Sequence, residues 1–172
     1  HGDDRRQRQM CIRDRGDVVT DTAKSVQACA ADYDNDGDVD LFVANRENTN
    51  FLYQNNGDGT FNKIVVGEIV TDNEDSRGCS WGDYDSDGHL DLFVSNSGEN
   101  NSLYQNDGDG TFTKITTGDI VTDGGPSFAS SWFDMDGDSD LDLFVANHND
   151  PGGENFLYSN DGDGTFTKVT TG

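Results

Sequence analysis

Basic residues are scarce in this chain. Eleven Lys and Arg stand against 34 Asp and Glu over 172 residues, a formal net charge of −23. Phosphate backbones and anionic membrane surfaces would repel such a chain, so no nucleic-acid partner is expected. Long apolar runs are missing too. None approaches the length of a membrane span and no hydrophobic signal-peptide core is visible, so membrane insertion is not expected. Glu is nearly absent: five of the acids are Glu and 29 are Asp. A merely solvated acidic surface would use Glu freely. Short Asp side chains mixed with 21 Gly belong to turns and metal loops. The three cysteines, Cys11, Cys29 and Cys79, lack metal-type spacing. Cys29 and Cys79 lie in apolar or small-residue stretches and read as buried free thiols, with a Cys29–Cys79 disulfide as the alternative. Val, Leu, Ile and Phe are sparse enough, at this charge, to border on disorder, so repetition and bound cations must supply the fold. No Ser/His/Asp order, nucleophile elbow, phosphate loop or paired Glu stands out, and the chain is not expected to be an enzyme.

What the sequence does contain is one unit three times over. "GDVVTD" at 16–21 returns as "GEIVTD" at 67–72 and "GDIVTD" at 118–123. "DLFVAN" at 40–45 returns as "DLFVSN" at 91–96 and "DLFVAN" at 142–147. "FLYQNNGDGTF" at 51–61 returns as "SLYQNDGDGTF" at 102–112 and "FLYSNDGDGTF" at 156–166, the last after a longer loop. The repeats run over 16–66, 67–117 and 118–171. Residues 1–15 hold five of the eleven basic residues, stand outside the repeat, and read as a non-native or disordered leader.

Each copy reads as four short strands with no helical periodicity. A small-residue strand comes first: "SVQACAA" (25–31), "SRGCSWG" (76–82) and "SFASSWF" (127–133). Its composition suits a crowded position where repeats converge. The "DLFVAN" strand follows, and its unbroken Leu41-Phe42-Val43 run suits burial on both faces. The strand around "FLYQN" and the strand "TFNKIVV" or "TFTKITT" complete the unit. The expected fold is all-β: three four-stranded antiparallel blades of a β-propeller. Known propellers use more blades than three, so an incomplete ring, a fragment, or closure by self-association is expected.

Between the first two strands lies an Asp-rich loop: "DYDNDGDVD" (32–40), "DYDSDGHLD" (83–91) and "DMDGDSDLD" (134–142). On a strand these carboxylates would line one face and repel one another. Asp, Asn and Gly also disfavour a helix. A loop curled round a cation remains. Calcium takes six to eight hard oxygen ligands, and carboxylates at loop positions 1, 3, 5 and 9 with a carbonyl at 7 supply them locally. The first site is Asp32, Asp34, Asp36 and Asp40 with the carbonyl of Asp38. The second is Asp83, Asp85, Asp87 and Asp91 with the carbonyl of His89. The third is Asp134, Asp136, Asp138 and Asp142 with the carbonyl of Asp140. The imidazole at position 7 of the second loop fits a residue that contributes only its backbone. Position 12 is Val43, Val94 or Val145 in an apolar strand, so the loop is not an EF-hand. Gly37 and Gly88 provide the turn at position 6, and Ser139 in the third loop predicts a strained or weaker site. One Ca²⁺ per repeat, about three per chain, is expected; Mg²⁺ and Zn²⁺ fit less well.

The "GDGTF" segments around Asp58, Asp109 and Asp163 read as hairpin turns, with a second cation site as the alternative. His148 reads as an exposed loop residue. Trp81 and Trp132 read as packing between repeats, with sugar stacking as a lesser alternative. The run "DYDNDGDVDLFVAN…NFLYQNNGDGTF" resembles the FG-GAP/VCBS repeat and is similar to the calcium-binding repeats of the integrin alpha-chain propeller. That resemblance implies a propeller with Ca²⁺ between the first two strands of a blade. It also implies an extracellular, cell-surface or periplasmic protein acting in adhesion or in recognition of a protein or glycan ligand. The alternative is an accessory, carbohydrate-binding propeller of a secreted enzyme.

Overall fold

A computed structural model describes residues 16–148 and 153–170. The leader assigned to 1–15, with Cys11, lies outside the described residues. Every copy forms the expected four-stranded antiparallel meander. The first is β1 (Ser25–Ala31), β2 (Asp40–Asn45), β4 (Phe51–Asn55) and β5 (Phe61–Ile64), with a two-residue strand, β3 (Asn48–Thr49), at the turn between β2 and β4. After β6 (Asn73–Glu74), the second is β7 (Ser76–Gly82), β8 (Asp91–Glu99), β9 (Ser102–Asn106) and β10 (Phe112–Ile115). The third is β11 (Gly125–Phe133), β12 (Asp142–Asn147), β13 (Phe156–Asn160) and β14 (Phe166–Lys168). Short edge pairings tie successive copies together. Asn48 pairs with Glu74 between the first two, and Glu99 with Gly125 between the last two, which merges their strands into one eight-stranded sheet.

The registers repeat. Leu41 lies opposite Tyr53, Leu92 opposite Tyr104 and Leu143 opposite Tyr158. The first strand of each copy carries a register shift near its start, between Ser25 and Gln27, Ser76 and Gly78, and Ser127 and Ala129.

Two cores fill the spaces between copies. Phe42, Leu52, Ile69, Leu92, Val94 and Tyr104 pack between the first and second. Phe93, Leu103, Ile120, Leu143, Val145 and Tyr158 pack between the second and third. The alternation along β8 explains the split: Leu92 and Val94 point one way and Phe93 the other. Burial of the apolar run on both faces therefore holds fully only for the middle copy. Leu41, Val43 and Phe144 are half-buried at the two ends of the stack.

Three expectations are corrected. Cys29 and Cys79 are not free thiols: they form a disulfide between β1 and β7, with Cα atoms 6.1 Å apart. Adjacent first strands pack closely, which brings the two side chains within bonding reach. The copies also contain helix, despite the lack of helical periodicity. The repeated "GEIVTD" and "GDIVTD" segments form single turns at Glu68–Thr71 and Asp119–Thr122, and Gly16–Val19 forms a 3₁₀ turn. One turn is too short to show a period, yet it buries Ile69, Val70, Ile120 and Val121. Finally, the fourth strand stops early, leaving Val65 and Val66 exposed beyond Ile64.

Candidate metal centres

The Asp loops curl at the ends of β1, β7 and β11, as a chain of alternating Asp must if it is to find donors. The first carboxylate of each loop accepts backbone N–H groups across it. Asp32 accepts from Asp36 (3.0 Å) and Gly37 (2.9 Å), and Asp83 from Asp87 and Gly88 (both 3.0 Å). Position 5 closes the next turn: Asp36 accepts from Asp38, Asp87 from His89 and Asp138 from Asp140. Positions 4 and 6 take positive φ in every loop. The residues are Asn35 and Gly37, Ser86 and Gly88, then Gly137 and Ser139. In the third loop Ser139 thus holds a left-handed φ of 83° that costs a residue with a Cβ about 1–2 kcal/mol. Its hydrogen bonds differ as well, Asp134 accepting from Gly137 (2.7 Å) and Ser139 (3.2 Å).

Three carboxylates in each loop place one oxygen apiece within 4.8 Å of the others: Asp32, Asp34 and Asp36; Asp83, Asp85 and Asp91; Asp134, Asp136 and Asp142. Two oxygens bound to one Ca²⁺ at about 2.3–2.6 Å cannot lie more than about 5 Å apart, so these spacings fit. The second cluster supplies a further sign. Asp85 Oδ1 is buried and has no hydrogen-bond partner, while its other oxygen accepts from Gln105 Nε2 at 2.6 Å. A buried carboxylate oxygen left unpaired is costly, and a cation would satisfy it. Gln54 donates in the same way to Asp34; Ser159 takes the glutamine's place in the third copy.

Position 9 is buried in all three loops, at Asp40, Asp91 and Asp142. Each of these carboxylates accepts from two backbone N–H groups. Asp91 takes Tyr84 N–H at 3.1 Å and Asn106 N–H at 2.8 Å, and so clips the loop to the end of β9. Asp40 bridges Tyr33 and Asn55, and Asp142 bridges Met135 and Asn160, in the same way. Burial pushes Asp40 up to about 6 and Asp91 up to about 7, against the pull of these hydrogen bonds, with the neighbouring loop carboxylates adding to the rise. Among the predicted residues, Asp38, Asp40, Asp87, His89, Asp138 and Asp140 stand outside the clustered carboxylates. The position-7 side chains instead lie against Gly57, Gly108 and Gly162 of the "GDG" turns, where a Cβ would collide with them. This is consistent with a backbone-only role. Asn35 reaches across from the first loop to Gly88 O and His89 Nδ1 of the second, so neighbouring loops touch.

The "GDGTF" segments are turns. Asp109 and Asp163 accept from both the N–H and the hydroxyl of Thr111 and Thr165, bonds that hold these carboxyls below the usual range. Trp81 and Trp132 pack between copies: Tyr33 stacks on Trp81 at 6.0 Å and Tyr84 on Trp132 at 6.3 Å. His148 is exposed beside Phe128.

Sequence reasoning missed one polar constellation. The last Asp of each "VVTD/IVTD" segment accepts from a buried Tyr hydroxyl and pairs with a Lys: Asp21 with Tyr53 and Lys63, Asp72 with Tyr104 and Lys114, Asp123 with Tyr158 and Lys168. The in-phase recurrence of all three residue types was the signal available.

Comparison with known proteins agrees with this architecture. The FG-GAP-like repeat matches residues 32–94, 83–145 and 134–172, each window opening on the first Asp of a loop. The chain belongs to the FG-GAP-like repeat family. Cartilage acidic protein 1 from Xenopus tropicalis is 32% identical over 114 residues, and the human protein of that name 30% over 116. Each match covers 63% of this chain, which spans only 17% of those relatives. Among solved structures, an Agrocybe aegerita lectin, described for specific recognition of non-reducing terminal N-acetylglucosamine, superposes with a TM-score of 0.57 at 18% identity. The match covers 88% of this chain and 39% of the lectin. At that identity the likeness speaks for the fold alone.

Proposed function

We propose that the chain is a calcium-binding, non-catalytic recognition module built from β-propeller blades, acting outside the cell in adhesion or ligand binding. The observation that carries this reading is the recurrence of a three-carboxylate cluster at one place in each of three repeats. Hard oxygen donors at that spacing suit Ca²⁺. The remaining carboxylate, position 9 in the first loop and position 5 in the other two, and the position-7 carbonyl would complete each set. The Cys29–Cys79 disulfide supports an oxidising compartment. Three successive four-stranded antiparallel meanders with apolar cores between them support the reading as propeller blades.

A second reading is favoured by the likeness to a glycan-binding lectin: an accessory carbohydrate-binding domain of a secreted enzyme. Calorimetric titration of chelator-stripped protein with Ca²⁺ tests the metal reading. About three sites per chain are expected, with affinities of about 10⁻⁴–10⁻³ M as in other extracellular modules. Two sites would single out the Ser139 loop. None, with the chain folded, would refute it. Reproducible binding on a glycan array would favour the second reading.

A further inference from the structure

The second copy departs from the repeat at two residues that meet in space. Phe51 and Phe156 open β4 and β13, and Ser102 opens β9 in their place. The two rings share a task. Lys63 Nζ lies 4.1 Å above Phe51 and Lys168 Nζ 4.0 Å above Phe156, and each lysine pairs with the aspartate of its own copy at 2.6 Å. The other departure is Glu74, whose counterparts are Ala23 and Gly125. Ser102 donates to Glu74 Oε2 at 2.7 Å. Lys114, lacking the phenyl ring, donates to Glu74 Oε1 at 2.8 Å as well as to Asp72 at 2.6 Å.

A hydroxyl in place of a ring leaves room. A pocket of about 230 Å³ opens between the second and third copies. Glu74, Asn101, Ser102 and Lys114 line its polar side, and Ile115 and Val121 its apolar side. Asn101 is 2% exposed, and its side-chain oxygen accepts from Asn96 N–H at 3.0 Å. Its Nδ2 has no hydrogen-bond partner among the described residues. At the first junction the counterpart, Asn50, donates the same amide to Ser76 Oγ of the following copy at 3.1 Å. A buried donor left unpaired is costly, and a ligand hydroxyl at this wall would satisfy it. Further capacity lies beside it: Lys114 donates two of its three N–H groups, and Glu74 Oε1 accepts a single bond.

We propose that this pocket binds one neutral sugar residue. The class follows from charge and shape. The carboxylates of Asp72 and Glu74 outnumber the Lys114 ammonium, in a chain of formal net charge −23, which disfavours an anion. The ammonium itself disfavours a cation. Neutral hydroxyls suit the mixed set, because each can donate to Glu74 while accepting from Lys114 or Asn101. Ile115 and Val121 offer an apolar wall for the C–H face of a ring. The volume falls short of the roughly 300–1,000 Å³ of drug-sized sites, so one ring enters and any further sugars stay outside. The proposal rests on the carbohydrate-binding reading above and is independent of the calcium assignment.

Saturation-transfer NMR of the full chain with calcium present, titrated in turn with the methyl glycosides of N-acetylglucosamine, glucose, galactose and mannose, tests this. Saturable binding of at least one is expected. Ser102→Phe restores the residue that the other two copies carry, and it should weaken that binding at least about tenfold by filling the pocket. Glu74→Ala, which installs the residue of the first copy, should weaken it too. Circular dichroism and the Ca²⁺ titration should be unchanged in both variants, which separates loss of the site from loss of the fold. Binding that survives both substitutions at full strength would overturn the proposal and leave the carbohydrate reading standing, since the sugar would then sit elsewhere. Failure of the unmodified chain to bind any of the four glycosides would also overturn it, and a silent glycan array would remove the carbohydrate reading with it.

Discussion

Replacing both Cys29 and Cys79 by serine isolates what the disulfide contributes. The junction between the second and third copies already carries a serine pair at the equivalent place, Ser80 with Ser130 at 2.7 Å. Two serines therefore fit the native packing, and the substitution should leave little folded-state damage. What changes is the unfolded chain. The crosslink joins residues 50 apart, and a loop of that size removes chain entropy worth about 4 kcal/mol. A new Ser–Ser hydrogen bond returns roughly 1 kcal/mol. The expected net loss is about 3 kcal/mol, a large share of a single domain's stability. Urea unfolding at fixed free calcium, followed by tryptophan fluorescence, would report it. A loss under about 1 kcal/mol would refute the reasoning by showing that the unfolded chain gains little freedom when the crosslink is removed. Conversely, Ser80→Cys with Ser130→Cys should form a second crosslink in the folded protein, visible by mass spectrometry.

Calcium should stabilise the chain by mass action: with Kd of about 10⁻³ M and about 10 mM free ion, three sites add about 4 kcal/mol and raise Tm by roughly 10 °C, readable by differential scanning fluorimetry against chelator. Ser139→Gly should relieve the left-handed strain of the third loop, gaining about 1 kcal/mol and tightening that site in the calorimetric titration. For chelator-treated protein the pH dependence follows from Asp40 and Asp91, whose folded values of about 6 and about 7 lie above the ordinary 3.8. The folded state holds protons that the unfolded chain has lost, so stability should fall as pH rises from about 4 to about 7 and then level off. Saturating calcium should abolish the fall. Phe93→Ala, at a side chain with no exposure between the second and third copies, should cost about 3–5 kcal/mol in urea unfolding.

Much of the fold was legible because it is repeated. The four strands of each copy, the Asp loops and the "GDGTF" turns all recur in phase, and the strands form within about three residues of the expected places. The side-chain direction at position 7 was legible from His89 alone, since an imidazole among aspartates marks a side chain outside the ligand set. Contacts between copies were not legible in the same way. Cys29 and Cys79 are not equivalent positions of the repeat, being the fifth and fourth residues of successive first strands, so periodicity gave no hint that they meet. The single-turn helices were hidden because Ile69 and Val70, or Ile120 and Val121, are too few residues to display a period. The position-9 aspartates were read as ligands, but their burial and paired backbone donors depend on where β4, β9 and β13 end.

The loop hydrogen bonds also bear on how so acidic a chain can fold before any ion arrives. Asp32, Asp83 and Asp134 each accept two backbone N–H groups, and Asp36, Asp87 and Asp138 each accept one. Those bonds fix the loop around its own carboxylates, so its shape does not wait for a cation. They do not neutralise the charge that the carboxylates bring together. Burial is the main cause of the raised values at Asp40 and Asp91, with the neighbouring carboxylates adding a smaller part, and Asp85 Oδ1 is buried without a hydrogen-bond partner. A divalent ion entering such a loop finds its ligands largely in place. Its binding energy therefore goes mainly into relieving repulsion and little into ordering backbone. Two consequences follow: calcium should raise thermal stability strongly while changing the far-ultraviolet circular dichroism little, and a large gain of β signal on calcium addition would mean that these loops are ordered by the ion after all.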